Sequence, residues 1–156
     1  MSAKSEFMKE LEINSNISME KERLIQENLT LFKTSIEELS NNIRSWLNGT
    51  NIKIETSDTL LMDIIDFDNK MQSIHLRYMD SIANFKPISL YNTKEKDKKC
   101  FIQIDISNPK KDQKVKKFNI SLINGNGYEF YFNPENKEDS TPFDENKFFE
   151  LMLHFA

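Results

Sequence analysis

Residues 43–56 read IRSWLNGTNIKIET, and the hydrophobic period changes inside them. Upstream, Ile25, Leu29, Phe32, Ile36, Leu39, Ile43 and Trp46 recur at spacings of 4, 3, 4, 3, 4 and 3. That is one face of a helix over three heptads. Asn48 and Gly49 follow at once, as residues that tolerate left-handed backbone do at a helix end. From Ile52 the period is two: Ile52, Ile54 and Thr56 alternate with Lys53 and Glu55. Such alternation predicts a half-buried strand. The chain therefore passes from helix to sheet at Gly49.

Working backwards, Ser18 is the expected N-cap, with Glu20 and Glu22 in the positive first turn. The helix is predicted over 19–47. Residues 1–17 carry no sustained period and are read as an N-terminal arm outside a single domain that fills 18–156. No apolar run reaches the ~20 residues of a membrane span, and the first eleven residues lack a signal-peptide core.

Working forwards, strands are predicted from Thr59 to Ile65 and from Ser73 to Met79, around a turn at Asp66–Lys70. Met79 to Phe85 reads as one helical turn, and Pro87 to Tyr91 as a weak strand. Cys100, Ile102, Ile104 and Ile106 line one face of a strand. Phe118, Ile120 and Leu122 line another within Val115–Ile123. Asn124-Gly125-Asn126-Gly127 is a hairpin signal, followed by Tyr128, Phe130 and Phe132 on one strand face. Thr141 and Asp144 fit a capping box, with Pro142 at the first helical position. Phe148, Phe149, Leu151, Met152 and Phe155 then make a short apolar helix. The expected fold is α+β: a long N-terminal helix, a six- to seven-stranded mainly antiparallel sheet and a short C-terminal helix. Strand–helix–strand alternation is missing, which excludes a doubly wound parallel sheet. Seven strands with a C-terminal helix resemble the pleckstrin-homology topology, and the helix–sheet–helix order resembles bacterial secretion-chaperone folds. Both are likenesses of fold alone.

Composition narrows the functional classes. The 156 residues include 25 acidic and 21 basic side chains, for a net charge of −4 and a pI near 5.3. Lys supplies 18 of the basic residues and Arg only 3, which argues against nucleic acid as a partner. The abundance of Asn, Ile and Lys fits an AT-rich genome and a bacterial or phage origin. One cysteine, Cys100, excludes an internal disulfide framework and a multi-cysteine zinc site.

Side-chain chemistry points away from catalysis. No Gly-rich phosphate loop, nucleophile elbow or metal-ligand spacing occurs. His75 falls on the polar side of its strand and Cys100 on the apolar side, so a Cys–His pair is not expected. Glu55, Asp58, Asp63, Asp66 and Asp68 follow one another with no Lys or Arg between Lys53 and Lys70. Asp66-Phe67-Asp68-Asn69 lacks the glycine of a calcium loop, and Arg77 stands where the bidentate Glu belongs. No metal or cofactor is expected. Residues 94–117 hold nine Lys and four acids, a net of +5, read as solvated loops that guard strand edges.

The reading is a small cytosolic protein that binds another protein, one with a basic surface. Immunity proteins, secretion chaperones and counter-defence inhibitors are examples of the kind. Asp58, Asp63, Asp66 and Asp68 are the expected electrostatic patch, with Tyr131 and Phe149 as apolar anchors. Two alternatives stand beside it. One is a module that binds anionic lipid or peptide through Lys94–Lys99. The other is a homodimer that uses Ile25, Leu29, Phe32, Ile36, Leu39 and Ile43 as its seam.

Overall fold

The computed structural model describes residues 2–92, 94–124, 129–133 and 140–156. It has the expected α+β architecture. Helix α1 (Ala3–Trp46) leads into seven strands and a last helix, α2 (Glu145–Met152). The strands are β1 (Lys53–Leu60), β2 (Lys70–Tyr78), β3 (Ser81–Tyr91), β4 (Lys98–Asn108), β5 (Asp112–Ile123), β6 (Phe130–Asn133) and β7 (Thr141–Pro142). They form one antiparallel sheet in sequence order. Among the described residues, no helix is long and apolar enough to cross a membrane.

Both helices cover the same face of the sheet. Leu29, Phe32, Ile36, Leu39 and Ile43 of α1 pack on Ile74 and Leu76 of β2, Ala83 and Phe85 of β3 and Ile102, Ile104 and Ile106 of β4. Phe148 of α2 fills the space beside them, 5.2 Å from Trp46 and 6.3 Å from Phe85 between ring centroids. Each fully buried side chain of this size contributes about 1.5–3 kcal/mol. The heptad stripe therefore belongs to the protein's own core. Leu29, Phe32, Ile36, Leu39 and Ile43 are buried and Ile25 is half-buried, so this face is not open to a second chain as a dimer seam.

Four local expectations need correction. First, α1 begins at Ala3, capped by Ser2, whose side chain accepts the Ser5 N–H at 3.2 Å. Ser18 lies inside the helix. No Gly or Pro stands between Ala3 and Trp46, so nothing interrupts propagation. At about 1.5 Å per residue the 44-residue helix spans roughly 66 Å.

Second, the strand expected over Thr59–Ile65 ends at Leu60. Leu61 to Asn69 form a loop closed at both ends of its neck. Leu61 N–H donates to the Asn69 carbonyl at 3.0 Å, and Asn69 Nδ2 donates to the Leu61 carbonyl at 2.7 Å. Leu61 and Ile64 enter the core three residues apart, while Met62 and Ile65 face solvent. That spacing suits a turn better than a strand.

Third, Met79–Phe85 is no helical turn. Met79 and Asp80 make a tight hairpin, with Met79 in left-handed backbone at φ 53°. Ala83, Phe85 and Pro87 then alternate inward along β3. A bulge between Pro87 and Ser89 resets the phase and buries Leu90.

Fourth, Thr141 and Pro142 pair with β6 as an edge strand, and Asp144 caps α2 by accepting the Lys147 N–H at 2.9 Å. Proline suits an edge because it lacks a donor. The expected turn residues 125–127, and Tyr128, lie outside the described residues.

Candidate functional site

The long helix divides at Asn28. Its Nδ2 donates to the Tyr91 hydroxyl at 2.9 Å, and Lys99 Nζ donates to its Oδ1 at 3.1 Å. C-terminal to this clamp, α1 is packed on the sheet. N-terminal to it, every residue from Ser2 to Leu24 is exposed. This arm carries Phe7, Met8, Leu11, Ile13, Ile17, Met19 and Leu24, each at least 42% exposed. Scattered apolar side chains are ordinary on a surface. Seven on one unpacked helical segment are not, because short helices lean on tertiary packing for stability.

The four expected acidic residues do not form one free patch. Asp63 turns inward to the backbone: its carboxylate accepts the Leu90 N–H at 3.0 Å and the Tyr91 N–H at 3.1 Å. It pins the 61–69 loop to the end of β3. Asp68 accepts from Lys33 Nζ at 2.8 Å, and this bond holds its carboxyl below the usual aspartate range. Asp58 is exposed on β1, and Asp66 borders a groove against Ile25 and Gln26 of α1.

Tyr131 and Phe149 lie on opposite sides of the sheet. Phe130 and Phe132 face the helices, so alternation turns Tyr131 to the other face, opposite Ser121 in register. Phe149 rides on α2, its ring edge-on to Phe148 at 5.2 Å and 39% exposed. The two cannot anchor one partner surface.

The sheet face away from the helices is polar. A line of strand partners crosses it: Glu55 opposite His75, His75 opposite Asn84, Asn84 opposite Asp105 and Asp105 opposite Lys117. His75 Nδ1 lies 2.7 Å from Asn84 Oδ1, and Nε2 lies 2.7 Å from Ser57 Oγ. Both contacts suit hydrogen bonding, with the donor and acceptor roles set by the ring tautomer. Strand register alone is sufficient to place them on this open face. Sequence reasoning missed the line because its members lie far apart in the chain and meet only through the meander.

Cys100 sits on the opposite face from His75, buried in the core at a bulge with φ 59°. Burial pushes its thiol pKa up to about 12, and neighbouring Lys99 only partly offsets this. Such a thiol is a packing group. In the Lys94–Lys99 loop, Lys98 pairs with Glu95 at 3.4 Å and Lys99 is spent on Asn28. Two of its four lysines therefore face inward to structural partners. Among the described residues, no cluster of His, Cys, Asp and Glu is arranged to hold a metal.

These features define an α+β meander domain with a projecting helical arm. No protein-family model, curated protein or solved structure matches the chain.

Proposed function

We propose that this chain is a small cytosolic protein of bacterial or phage type that binds another protein stoichiometrically, in the manner of an immunity protein, a secretion chaperone or a counter-defence inhibitor. The observation that carries the reading is the arm of α1, where seven large apolar side chains project beyond the domain without a packing partner. Covering these side chains with a complementary protein surface removes apolar area from water, at about 25 cal/mol per Å². The domain beneath the arm is closed by its own core.

The test is affinity capture from the host lysate, read by mass spectrometry and sized by light scattering. One stoichiometric protein partner is expected, and deletion of residues 3–17 should abolish its capture. Capture that survives the deletion removes the arm from the reading. A chain that recovers no stoichiometric partner removes the protein-binding reading itself.

A further inference from the structure

A groove of about 440 Å³ runs between the C-terminal half of α1, the start of β6 and the first turn of α2. Its rim carries four carboxylates, Glu38, Glu129, Asp144 and Glu145, and among the described residues its lining contains no Lys or Arg. Among the described residues, none of the four makes a salt bridge. Asp144 spends one oxygen on the α2 cap. The positive end of α2 offsets about half a charge, which leaves the groove strongly negative.

The floor is aromatic, formed by Trp46, Phe130 and Phe143. A second observation comes from Ser35, which lines the same groove. It is 1% exposed, and its Oγ has no hydrogen-bond partner. A buried hydroxyl without a partner is unusual in a native protein. Here it stands at the base of an acidic cleft, where a donor from a ligand would satisfy it.

We propose that this groove binds the guanidinium group of an arginine side chain presented by a basic protein segment. The chemistry fits at three levels. The carboxylates attract the charge and accept its N–H donors. The planar guanidinium stacks on the half-buried Trp46, which a compact ammonium does less well. Ser35 Oγ accepts a further N–H. The inference adds a basic partner to the protein-binding reading but rests on a different part of the molecule from the arm, so the two fail separately.

Trp46 is the only tryptophan in the chain, so the groove carries its own fluorescent reporter. The probe is a tetra-arginine peptide amide, titrated against the full chain at low salt. Saturable change in Trp46 emission is expected. A tetra-citrulline peptide, isosteric but neutral, should give no response, and tetra-lysine should bind several-fold more weakly. The double variant Glu38→Gln/Glu145→Gln alters only exposed side chains and should weaken the arginine peptide at least tenfold. Deletion of residues 3–17 should leave the binding unchanged. The proposal falls if emission does not respond or if citrulline matches arginine. It also falls if Asp58→Asn/Asp66→Asn, on another part of the surface, weakens binding as much as the groove variant does.

Discussion

Asn28 Nδ2 and the Tyr91 hydroxyl meet at 2.9 Å across 63 residues of sequence, and this contact marks where α1 leaves the domain. Residues 2–24 are exposed, and Leu29, Phe32 and Ile36 beyond it enter the core. Asn28→Ala removes this bond and the one from Lys99. The expected loss is about 1–2 kcal/mol, the usual net worth of two such bonds. Deleting residues 3–17 removes no buried side chain and should cost under about 0.5 kcal/mol, in line with surface changes. Urea unfolding of the two variants checks the contrast. A deletion that costs more than Asn28→Ala would mean that the arm helps to hold the domain together.

Asp63 has a structural role. Its carboxylate accepts two backbone N–H groups at the end of β3, and hydrogen bonds to a charged acceptor are the stronger kind. Asp63→Ala strands both donors and loosens the loop that buries Leu61 and Ile64. A loss of about 1–3 kcal/mol follows. Asp58→Ala, exposed on β1, should lie within about 0.5 kcal/mol of the parent. Denaturation midpoints decide the matter, and equal effects of the two substitutions would contradict the geometry.

The elements easiest to read were those with one unbroken period. The seam from Ile25 to Trp46 and the run from Cys100 to Ile106 each read as one apolar face from spacing alone, and Leu29, Phe32, Ile36, Leu39, Ile43, Cys100, Ile102, Ile104 and Ile106 are buried. The misreadings share a cause, which is tertiary context acting on weak local signals. In Ser81–Tyr91 the inward alternation runs through Ala83 and Pro87, which look like breakers, and the bulge after Pro87 breaks the period. The arm lacks a seam, so sequence periodicity could not extend the helix to Ala3. Asp63 and Asp58 look alike in sequence, yet only the fold turns one toward backbone and leaves the other in water. The groove at Ser35 draws on α1, β6 and α2 together. Its only sequence trace is a serine set among the apolar positions of the helix.

Cys100 should be inert in the folded protein. Its side chain is buried, and desolvation raises its pKa to about 12, so the reactive thiolate is scarce near neutral pH. Ellman's reagent at pH 8 should label the native chain at least tenfold more slowly than the chain in strong denaturant. Rapid native labelling would show that the core around α1 and β4 opens readily.

Asp68 and Lys33 join the 61–69 loop to α1 by an exposed ion pair of 2.8 Å. The bond from Lys33 is the main cause of the lowered Asp68 pKa. A carboxyl whose folded pKa lies below its unfolded value adds stability above the unfolded value and loses it as pH falls through the folded one. The contribution is therefore present above roughly pH 4 and disappears below it. Glu20, lowered by Arg23, and Asp112, lowered chiefly by the Lys114 backbone N–H, act in the same direction. All three are exposed, so screening keeps the effect small, and added salt should flatten it further. Lys33→Ala should return Asp68 to the ordinary aspartate range, as read by NMR titration of its carboxyl carbon. An Asp68 titration that does not move in this variant would place the cause elsewhere, with the Lys70 backbone N–H as the next contributor.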